Sequence, residues 1–449
     1  MQACAGDTKK TGYPTMINGD FHSCHTTRPL PSGSKLQDID NLSLFTYIDK
    51  MTSYGILASV NNNQGKHMNS VISINLRRLR SMRGKTQDEI ATAAGISRVA
   101  YRNIETGTSD PRSGTLDAIA GALGVDILAL ATPVPQPTTL RFRAHKGLTA
   151  QERAERTQLV TDTLNWLTDF KELEDVLDEK RPSVLSSKSR QTSDIAALAE
   201  KVRREDFKVD CSDCLPDICD ILENGGIKVR VLQSNIKGFS GFSVGKADGG
   251  PAVVVNTLST IPVERRIFTA AHELGHLILH RNSFDPTVET EDSNEEHEAD
   301  IFASYFLMPS KQFQDEWTRN RGLHWVDRVL KTKRAFRVSW MTVLFRLCEL
   351  KQADRRKIFW QFSSAYKSRF GKELSYKHEP DSATTMMAPT QPSQEPDRLT
   401  EYDFYEDRFD RLVRKALEKD EISVSRAAEM LAISVKEMQE LVLEWREHE

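Results

Sequence analysis

Two histidines four residues apart form the motif with the clearest chemistry in this 449-residue sequence. They stand in His272-Glu273-Leu274-Gly275-His276, within a stretch of helical spacing. Residues four apart lie on one face of a helix, so the two imidazoles can converge on one ion. Zinc catalysis uses three protein ligands and an open position for water, and an adjacent carboxylate can take a proton from that water. The pattern predicts His272 and His276 as metal ligands and Glu273 as general base; the alternative is a surface helix with two histidines.

A third protein ligand is expected from an acidic run downstream of the two histidines. Glu296 and Asp300 are four residues apart in a helical pattern and face the same side. One of them can bind the ion while the other holds a ligand imidazole through its second ring nitrogen. We predict Glu296 as the ligand and Asp300 as the orienting residue. His280, one turn beyond His276, could lie near the site, but a partly buried structural histidine is the favoured alternative. The alternative is that the acidic run is only the solvated start of a helix. The run also includes Glu295, His297 and Glu298.

A second motif lies nearer the N-terminus, where residues 75–105 read NLRRLRSMRGKTQDEIATAAGISRVAYRNIE. Thr86 and Glu89 have the spacing of a capping box, Gly95 falls in a turn, and Ser97 can cap the next helix. This is helix-turn-helix spacing. Between residues 71 and 105, seven basic residues stand against three acidic ones, a local balance of +4 in a chain whose formal net charge is −3. The pattern predicts binding to double-stranded DNA; the alternative is a helical protein-interaction domain of the same fold.

The predicted DNA contacts fall into two groups. Basic residues near the helix termini would neutralise phosphates, whereas Arg98, Tyr101 and Arg102 on the second helix would reach base edges. The full predicted set is Arg77, Arg78, Lys85, Gln87, Ser97, Arg98, Tyr101 and Arg102.

Composition and periodicity divide the chain into six segments. They are a disordered extension at 1–69, a helix-turn-helix domain at 70–131, a linker with a charged helical segment at 132–190, a second domain at 191–370, a disordered linker at 371–400 and a helical element at 401–449. The second domain has the order helix, sheet, helix, helix, which predicts an α+β domain with a small antiparallel sheet. Its segment AVVVNT, residues 252–257, is either an edge strand that binds extended substrate or a core strand.

Bulk properties favour a cytoplasmic protein. No apolar run approaches the roughly 20 residues that span a bilayer, and the first residues lack the apolar core of a secretory signal. Six cysteines, few for this length and unevenly placed, do not resemble a disulfide framework. Cys211, Cys214 and Cys219 include a CxxC pair, but three thiols leave a structural zinc site incomplete. Unrelated thiols are therefore favoured over redox sensing.

These motifs carry resemblances to known families. FTAAHELGHLILH followed by EEHEADIFASYFLMP resembles the ImmA/IrrE family of metallopeptidases, over residues 194–350. The resemblance implies a thermolysin-like (zincin) fold that binds Zn²⁺, with Mn²⁺ as a substitute in vitro, and it gives Glu296 the position of the third ligand. Phe306 replaces the first Leu of the family's LLMP motif. The N-terminal motif is similar to the Cro/repressor (XRE) family, including Gln87 and the continuation IETGTSDPRSGTLDAIAGALGV.

The combined expectation is an α+β multidomain protein in which an all-α DNA-binding domain precedes a zinc metallopeptidase and a helical C-terminal tail. The resemblance implies limited proteolysis of an XRE-type repressor in a stress response. Its partners would then be duplex DNA and that repressor, and no membrane contact is expected. The chain could also form a homodimer. A second hypothesis is a transcription factor whose metallopeptidase fold serves as a sensor or oligomerisation domain. A third is cleavage of the chain's own Pro-rich spacer at Thr132–Thr138, an accessible target.

Overall fold

The computed structural model describes residues 64–132, 139–142, 148–185, 192–210, 215, 217–281, 292–351, 354–374, 380 and 399–447. The predicted N-terminal extension up to residue 63, spacer residues 133–138, Cys211, Cys214 and most of the predicted linker at 371–400 lie outside these ranges. Every helix within the ranges is too short or too polar to cross a bilayer.

Five helices form the N-terminal part of the described chain: α1 Gln64–Met82, α2 Gln87–Ala93, α3 Arg98–Glu105, α4 Ser113–Leu123 and α5 Ile127–Ala131. Both predicted caps are confirmed. Thr86 Oγ1 accepts the Glu89 backbone N–H at 3.2 Å in a complete capping box, and Ser97 Oγ accepts the Ala100 N–H at 3.1 Å. Gly95 turns the chain between α2 and α3 at φ +67°, a left-handed conformation that favours glycine. All five helices contribute to one apolar core, which includes Leu76, Ile90, Tyr101, Ile119 and Leu130.

A four-stranded mixed sheet follows, with strand order β1-β3-β4-β2. Its strands are β1 Leu140–Phe142, β2 Lys228–Leu232, β3 Gly241–Val244 and β4 Ala252–Asn256. Strands β1 and β4 both pair antiparallel with β3, whereas β2 and β4 are parallel. The expectation of an antiparallel sheet is therefore wrong for the β2–β4 pair. The chain reverses once before β3 and again before β4, so β4 runs in the direction of β2.

Strand β4 is the central strand formed by the AVVVNT segment. It pairs with β3 on one side and β2 on the other, and all five of its residues are buried. Val253 and Val255 join the core on one face, while Ala252 and Val254 join the core on the other, because successive side chains of a strand point to opposite faces. Of the two alternatives for this segment, the core strand is the observed one.

Helices cover both faces of this sheet. In chain order, those beyond α5 are α6 Ala150–Val176, α7 Ile195–Lys201 with a π-helical turn at Val202–Asp206, α8 Ile218–Asn224, α9 Val263–Leu279, α10 Ser293–Leu307, α11 Ser310–Arg319, α12 Trp325–Phe336, α13 Trp340–Lys351, α14 Arg355–Phe370, α15 Arg408–Glu418, α16 Val424–Met430 and α17 Val435–Glu447. Helices α7 to α14 share a core with one face. Helices α6 and α15 to α17 share a second core with the opposite face.

The second core joins segments that the sequence assigned to a linker and to a separate tail. Phe170 of α6 packs against Phe409 of α15, with ring centroids 5.5 Å apart. Buried Glu174 of α6 binds Arg408 of α15 at 2.7 Å and Lys228 of β2 at 3.1 Å. Three distant parts of the chain, which form α6, β2 and α15, therefore meet at the sheet face opposite α7 to α14.

Helices α9 and α10 approach each other closely at Gly275. A Cβ atom on Gly275 would stand 3.2 Å from Phe302 Cδ1 and 3.3 Å from Ala299 Cα. These distances are shorter than an ordinary carbon–carbon contact of about 3.5–4.0 Å. The missing side chain therefore sets the spacing of the two helices that carry the predicted metal ligands.

Two buried guanidinium groups hold the C-terminal end of α10. Arg203 Nη1 donates to Phe306 O at 2.7 Å, and Arg346 Nη2 donates to Met308 O at 3.2 Å. The last carbonyls of a helix have no intrahelical partner, so these bonds satisfy groups that burial would otherwise leave unpaired. They fix α10, and with it the acidic run, against the core.

Candidate functional site

His272, His276 and Glu296 converge where α9 meets α10. His272 Nε2 and His276 Nε2 are 2.9 Å apart, and the Glu296 carboxylate lies 3.5 Å from the first and 3.3 Å from the second. The three ligand atoms lie within 4.8 Å of one another. Both histidines are buried, whereas the Glu296 side chain is 16% exposed. The cluster is therefore enclosed on the histidine side and reaches solvent on the carboxylate side.

The geometry and chemistry of these donors fit a zinc ion. Bonds of about 2.0–2.1 Å at tetrahedral angles would place two ligand atoms about 3.3 Å apart. The two histidine–glutamate distances, 3.5 and 3.3 Å, match that separation, and the histidine–histidine distance of 2.9 Å is somewhat shorter. Two imidazole nitrogens and one carboxylate also form a ligand set that leaves a fourth position for water.

Each predicted histidine ligand has a protein partner at its other ring nitrogen. His272 Nδ1 lies 2.8 Å from Asp300 Oδ1, the residue predicted to orient an imidazole. His276 Nδ1 lies 2.9 Å from His280 Nδ1, and His280 Nε2 lies 2.9 Å from a Glu298 oxygen. The structure thus brings His280 into contact with the cluster, which was the less favoured of the two alternatives for this residue. The available signal was the further four-residue step from His276 to His280 along the same helix face.

Glu273, the predicted general base, is buried, and a cleft lies beside the cluster. Glu273 is 1% exposed, and a cleft of about 370 Å³ opens beside His272 and Asp300. Aromatic and aliphatic groups line much of this cleft, and two cations, Arg265 and Arg355, also face it. The other lining residues are Ser240, Pro262, Phe268, Thr269, Ser339, Met341, Thr342 and Phe345.

The exposed face of α3 holds two of the residues predicted to bind DNA. Arg98 and Arg102 are exposed and one turn apart. The same face presents Val99, which is 67% exposed, and Asn103. Neither was predicted, although both belong to the helical repeat of Arg98 and Arg102. An apolar side chain and an amide are groups that proteins use to contact the thymine methyl and adenine, respectively.

Other predicted DNA contacts have different surroundings. Tyr101 is 0% exposed in the helical core, so the prediction that it reaches a base edge is wrong; it lies with Ile104 on the buried face of α3 instead. Gln87 donates to the buried carboxylate of Glu105.

The basic residues predicted to contact DNA also differ in exposure and in their partners. Arg78 is half-buried and donates to Gln158 of α6 rather than facing open solvent. Arg77, Lys85 and Ser97 are exposed. The Arg77 guanidinium also lies 3.5 Å from the Glu105 carbonyl oxygen.

Comparisons with known proteins agree with both motifs. A helix-turn-helix family model matches residues 76–130. An uncharacterized HTH-type transcriptional regulator of Sinorhizobium fredii is 35% identical over 69 residues, which make up 15% of this chain and 90% of that relative. The chain belongs to the helix-turn-helix transcriptional regulators. A second family model, described as an IrrE N-terminal-like domain, matches residues 223–348. This helix-turn-helix regulator therefore carries an IrrE-like peptidase domain that includes both predicted metal motifs.

A buried acidic pair lies away from the metal cluster of this helix-turn-helix regulator. Burial, together with the neighbouring Glu406 carboxylate, raises the pKa of Glu223 to about 9. Burial also raises the pKa of Glu406 to about 7. Cys219, the one described member of the predicted cysteine trio, is buried on the same helix α8, and burial raises the pKa of its thiol. A buried thiol of this kind is poorly reactive.

Proposed function

We propose that this helix-turn-helix regulator is also a zinc-dependent metalloendopeptidase. The observation that carries the proposal is the convergence of His272, His276 and Glu296 within 4.8 Å. The match to an IrrE N-terminal-like domain supports it independently. The proposed fold is thermolysin-like: α9 carries two ligands and the base, and α10 carries the third ligand. Zn²⁺ is the proposed ion, and Mn²⁺ is a substitute in vitro.

The proposed reaction is hydrolysis of a peptide bond within a chain. A Zn²⁺ ion held by the three side chains supplies Lewis-acid polarisation of the carbonyl and lowers the pKa of water. Glu273 takes a proton from the attacking water onto its carboxylate and delivers it to the nitrogen of the leaving amine. Asp300 accepts the His272 Nδ1–H at 2.8 Å and so keeps His272 Nε2 turned toward the cluster.

The proposed substrate is a second helix-turn-helix repressor of XRE type, cleaved in a stress response. The DNA-binding module, proposed at residues 70–131, would place the peptidase domain, proposed at 191–370, near DNA that such a repressor occupies. Tethering raises the effective concentration of one protein beside another. Arg98 and Arg102 are the proposed principal contacts to duplex DNA, and a homodimer would read two half-sites. Cleavage of the spacer at residues 132–138 is the alternative in which the chain is its own substrate.

The test compares the wild-type chain with Glu273→Gln in cells under stress. The substitution keeps all three ligands, so Zn²⁺ binding should persist while cleavage falls by at least about 10²-fold, the lower end of the usual range for a general base. Quantitative proteomics should then show one helix-turn-helix repressor that persists only in the variant. His297→Ala serves as the matched control, because His297 is exposed on α10 next to Glu296 and forms no part of the ligand cluster.

Two outcomes would contradict the proposal. A wild-type chain that binds no divalent ion would remove the metal centre. Equal protein levels and equal regulatory output in wild type and Glu273→Gln would remove hydrolysis, and would favour the IrrE-like domain as a sensor or oligomerisation unit.

A further inference from the structure

His280 and Glu298 extend the metal cluster by one layer of contacts. His280 is 5% exposed and ends helix α9. Both of its ring nitrogens lie 2.9 Å from a protein group: Nδ1 from His276 Nδ1, and Nε2 from Glu298 Oε2. Both ring nitrogens of this buried side chain thus have polar partners, and one of these partners is the predicted ligand His276.

His276, His280 and Glu298 form a row of hydrogen-bonded side chains. The location of each ring proton in this row follows from the position of His276 Nε2. That nitrogen faces the ligand cluster, so it must offer its lone pair to an ion and the ring proton must sit on Nδ1. His280 Nδ1 therefore accepts this proton in a hydrogen bond, and the His280 proton sits on Nε2. Glu298 accepts from Nε2 as a carboxylate. Each neutral imidazole then has one donor and one acceptor nitrogen, and both are used.

We propose that His280 and Glu298 are positioning residues for the metal ligand His276. The row fixes the tautomer and the ring orientation of His276, and its terminal carboxylate increases the electron density on the ligand nitrogen. His272 receives the same support directly from Asp300 at 2.8 Å. The two histidine ligands are thus held unequally, one by a carboxylate and the other by a carboxylate acting through an imidazole. This inference rests on the proposed function, because it concerns the same ion.

The test measures Zn²⁺ affinity of the full chain by competition with a chromophoric chelator. His280→Leu should weaken binding by about 10- to 100-fold, the range expected when the outer partner of a ligand is lost. His280→Asn should restore most of it, because Asn Oδ1 can accept the His276 Nδ1–H where His280 Nδ1 did. Glu298→Gln should give an intermediate loss, since an acceptor oxygen remains without its charge. His297→Ala is the control on the same helix.

The outcomes separate this inference from the proposed function. No Zn²⁺ binding by the wild-type chain would overturn both. Tight wild-type binding with equal affinity in His280→Leu and His297→Ala would overturn the positioning role and leave the metal centre intact. Equal losses in His280→Leu and His280→Asn would also overturn it, because the effect would then depend on packing and not on the acceptor atom. Thermal melts of the metal-free chains exclude global unfolding as the cause.

A separate observation concerns the outer edge of β3. Strand β1, which follows the helix-turn-helix module in the chain, covers that edge with Leu140 opposite Val244 and Phe142 opposite Phe242. Thr139 anchors the strand: its backbone N–H and its hydroxyl donate to Asp248 at 2.5 and 2.7 Å, and its carbonyl accepts the Gly245 N–H at 2.8 Å.

The edge that β1 covers leads to the cleft of the proposed peptidase. Strand β3 begins at Gly241, directly after Ser240, which lines the cleft together with His272. A Cβ atom on Gly241 would stand 2.7 Å from Thr269 Cγ2 of α9, so β3 lies close against the helix that carries the ligands. Along β1 the register runs from Val244 toward Phe242, which is the direction of the cleft.

We infer that the β3 edge is a docking surface for an extended segment of the peptidase substrate, an inference that rests on the proposed function, and that β1 of the same chain occupies this edge at rest. Main-chain pairing to a sheet edge is tolerant of sequence, so a substrate segment and β1 would compete for the same hydrogen bonds. A strand of three residues forms few of these bonds, so it can be displaced. The DNA-binding module would then be coupled to substrate binding, because β1 follows this module in the chain.

The test uses the metal-free full chain and a fluorescein-labelled peptide with the sequence of residues 138–143, TTLRFR. Asp248→Ala removes the acceptor for two Thr139 hydrogen bonds and should increase peptide affinity at least tenfold in fluorescence anisotropy. Arg141→Pro removes a main-chain donor from β1 and should act in the same direction. Equal peptide affinity in wild type and both variants would overturn the inference. Because no metal is present, the result does not depend on catalysis.

Discussion

Replacing Gly275 with alanine tests whether the spacing of α9 and α10 sets the geometry of the metal cluster. The new methyl group would stand 3.2 Å from Phe302 Cδ1 and 3.3 Å from Ala299 Cα, so its neighbours must move by a few tenths of an ångström. Ala299 lies one helical turn from Glu296, so a retreat of α10 carries the third ligand with it. Metal sites tolerate ligand shifts of only about 0.2 Å.

The expected magnitudes follow from two opposing effects. Alanine in a helix interior is favoured over glycine by about 1 kcal/mol, whereas overpacking a buried contact costs about 1–3 kcal/mol. The net free energy of unfolding of the metal-free chain should therefore fall by about 1 kcal/mol, taken as the difference of those estimates. Zn²⁺ affinity should fall by about tenfold, which corresponds to about 1.4 kcal/mol.

Two assays check this prediction: chelator competition for Zn²⁺ affinity and denaturant unfolding of the metal-free chain. Gly121→Ala in α4 is the matched control, because a Cβ atom there would meet no heavy atom within 4 Å. Gly121→Ala should raise the free energy of unfolding of its own domain by up to about 1 kcal/mol and leave Zn²⁺ affinity unchanged. If Gly275→Ala behaved like Gly121→Ala in both assays, the reasoning about helix spacing would be refuted.

Three further predictions concern other parts of the molecule. Arg102→Ala should lower the affinity for duplex DNA and reduce the slope of log K against log salt by about 0.9, whereas Arg78→Ala, whose guanidinium binds a side chain of α6, should leave that slope unchanged in a fluorescence anisotropy salt series. The pKa of Glu223 is raised above its ordinary 4.5 to about 9, so its contribution to stability is complete below the ordinary value and is lost as the pH rises toward 9; melting temperatures of Glu223→Gln should decline less than those of wild type over that window. Arg408→Met leaves a buried carboxylate short of its closest cation and should cost about 3 kcal/mol in denaturant unfolding, while Arg411→Ala, which breaks an exposed ion pair on the same helix, should cost no more than about 0.5 kcal/mol.

Local patterns allowed much of the metal cluster to be predicted. Four-residue spacing placed His272 and His276 on one face, and the same spacing paired Glu296 with Asp300. The structure brings all four together, since His272 contacts both acids. For His280 the spacing left two alternatives open, because spacing alone cannot show that Glu298, on another helix and 18 residues away, contacts it.

Long-range pairing was less predictable. The AVVVNT segment is apolar at four consecutive positions whether it lies at an edge or in the centre, so only its neighbours could decide. Those neighbours include β2, in parallel, from a separate part of the chain. The same reason hid the role of α6 and of α15 to α17, whose apolar faces indicated burial but not against which surface. Tyr101 was misassigned because its position on the recognition helix did not reveal which way the side chain points.

The second core also bears on how the molecule is made. Its last members, α15 to α17, are encoded at residues 408–447, long after the helices with the histidines and acids. During synthesis the sheet face that includes Phe242, Val244 and Val254 is covered only by α6 until residues 408–447 have left the ribosome. A nascent chain would thus bring the histidines and acids of α9 and α10 together before this second core is complete, and apolar sheet surface would stay exposed during that interval.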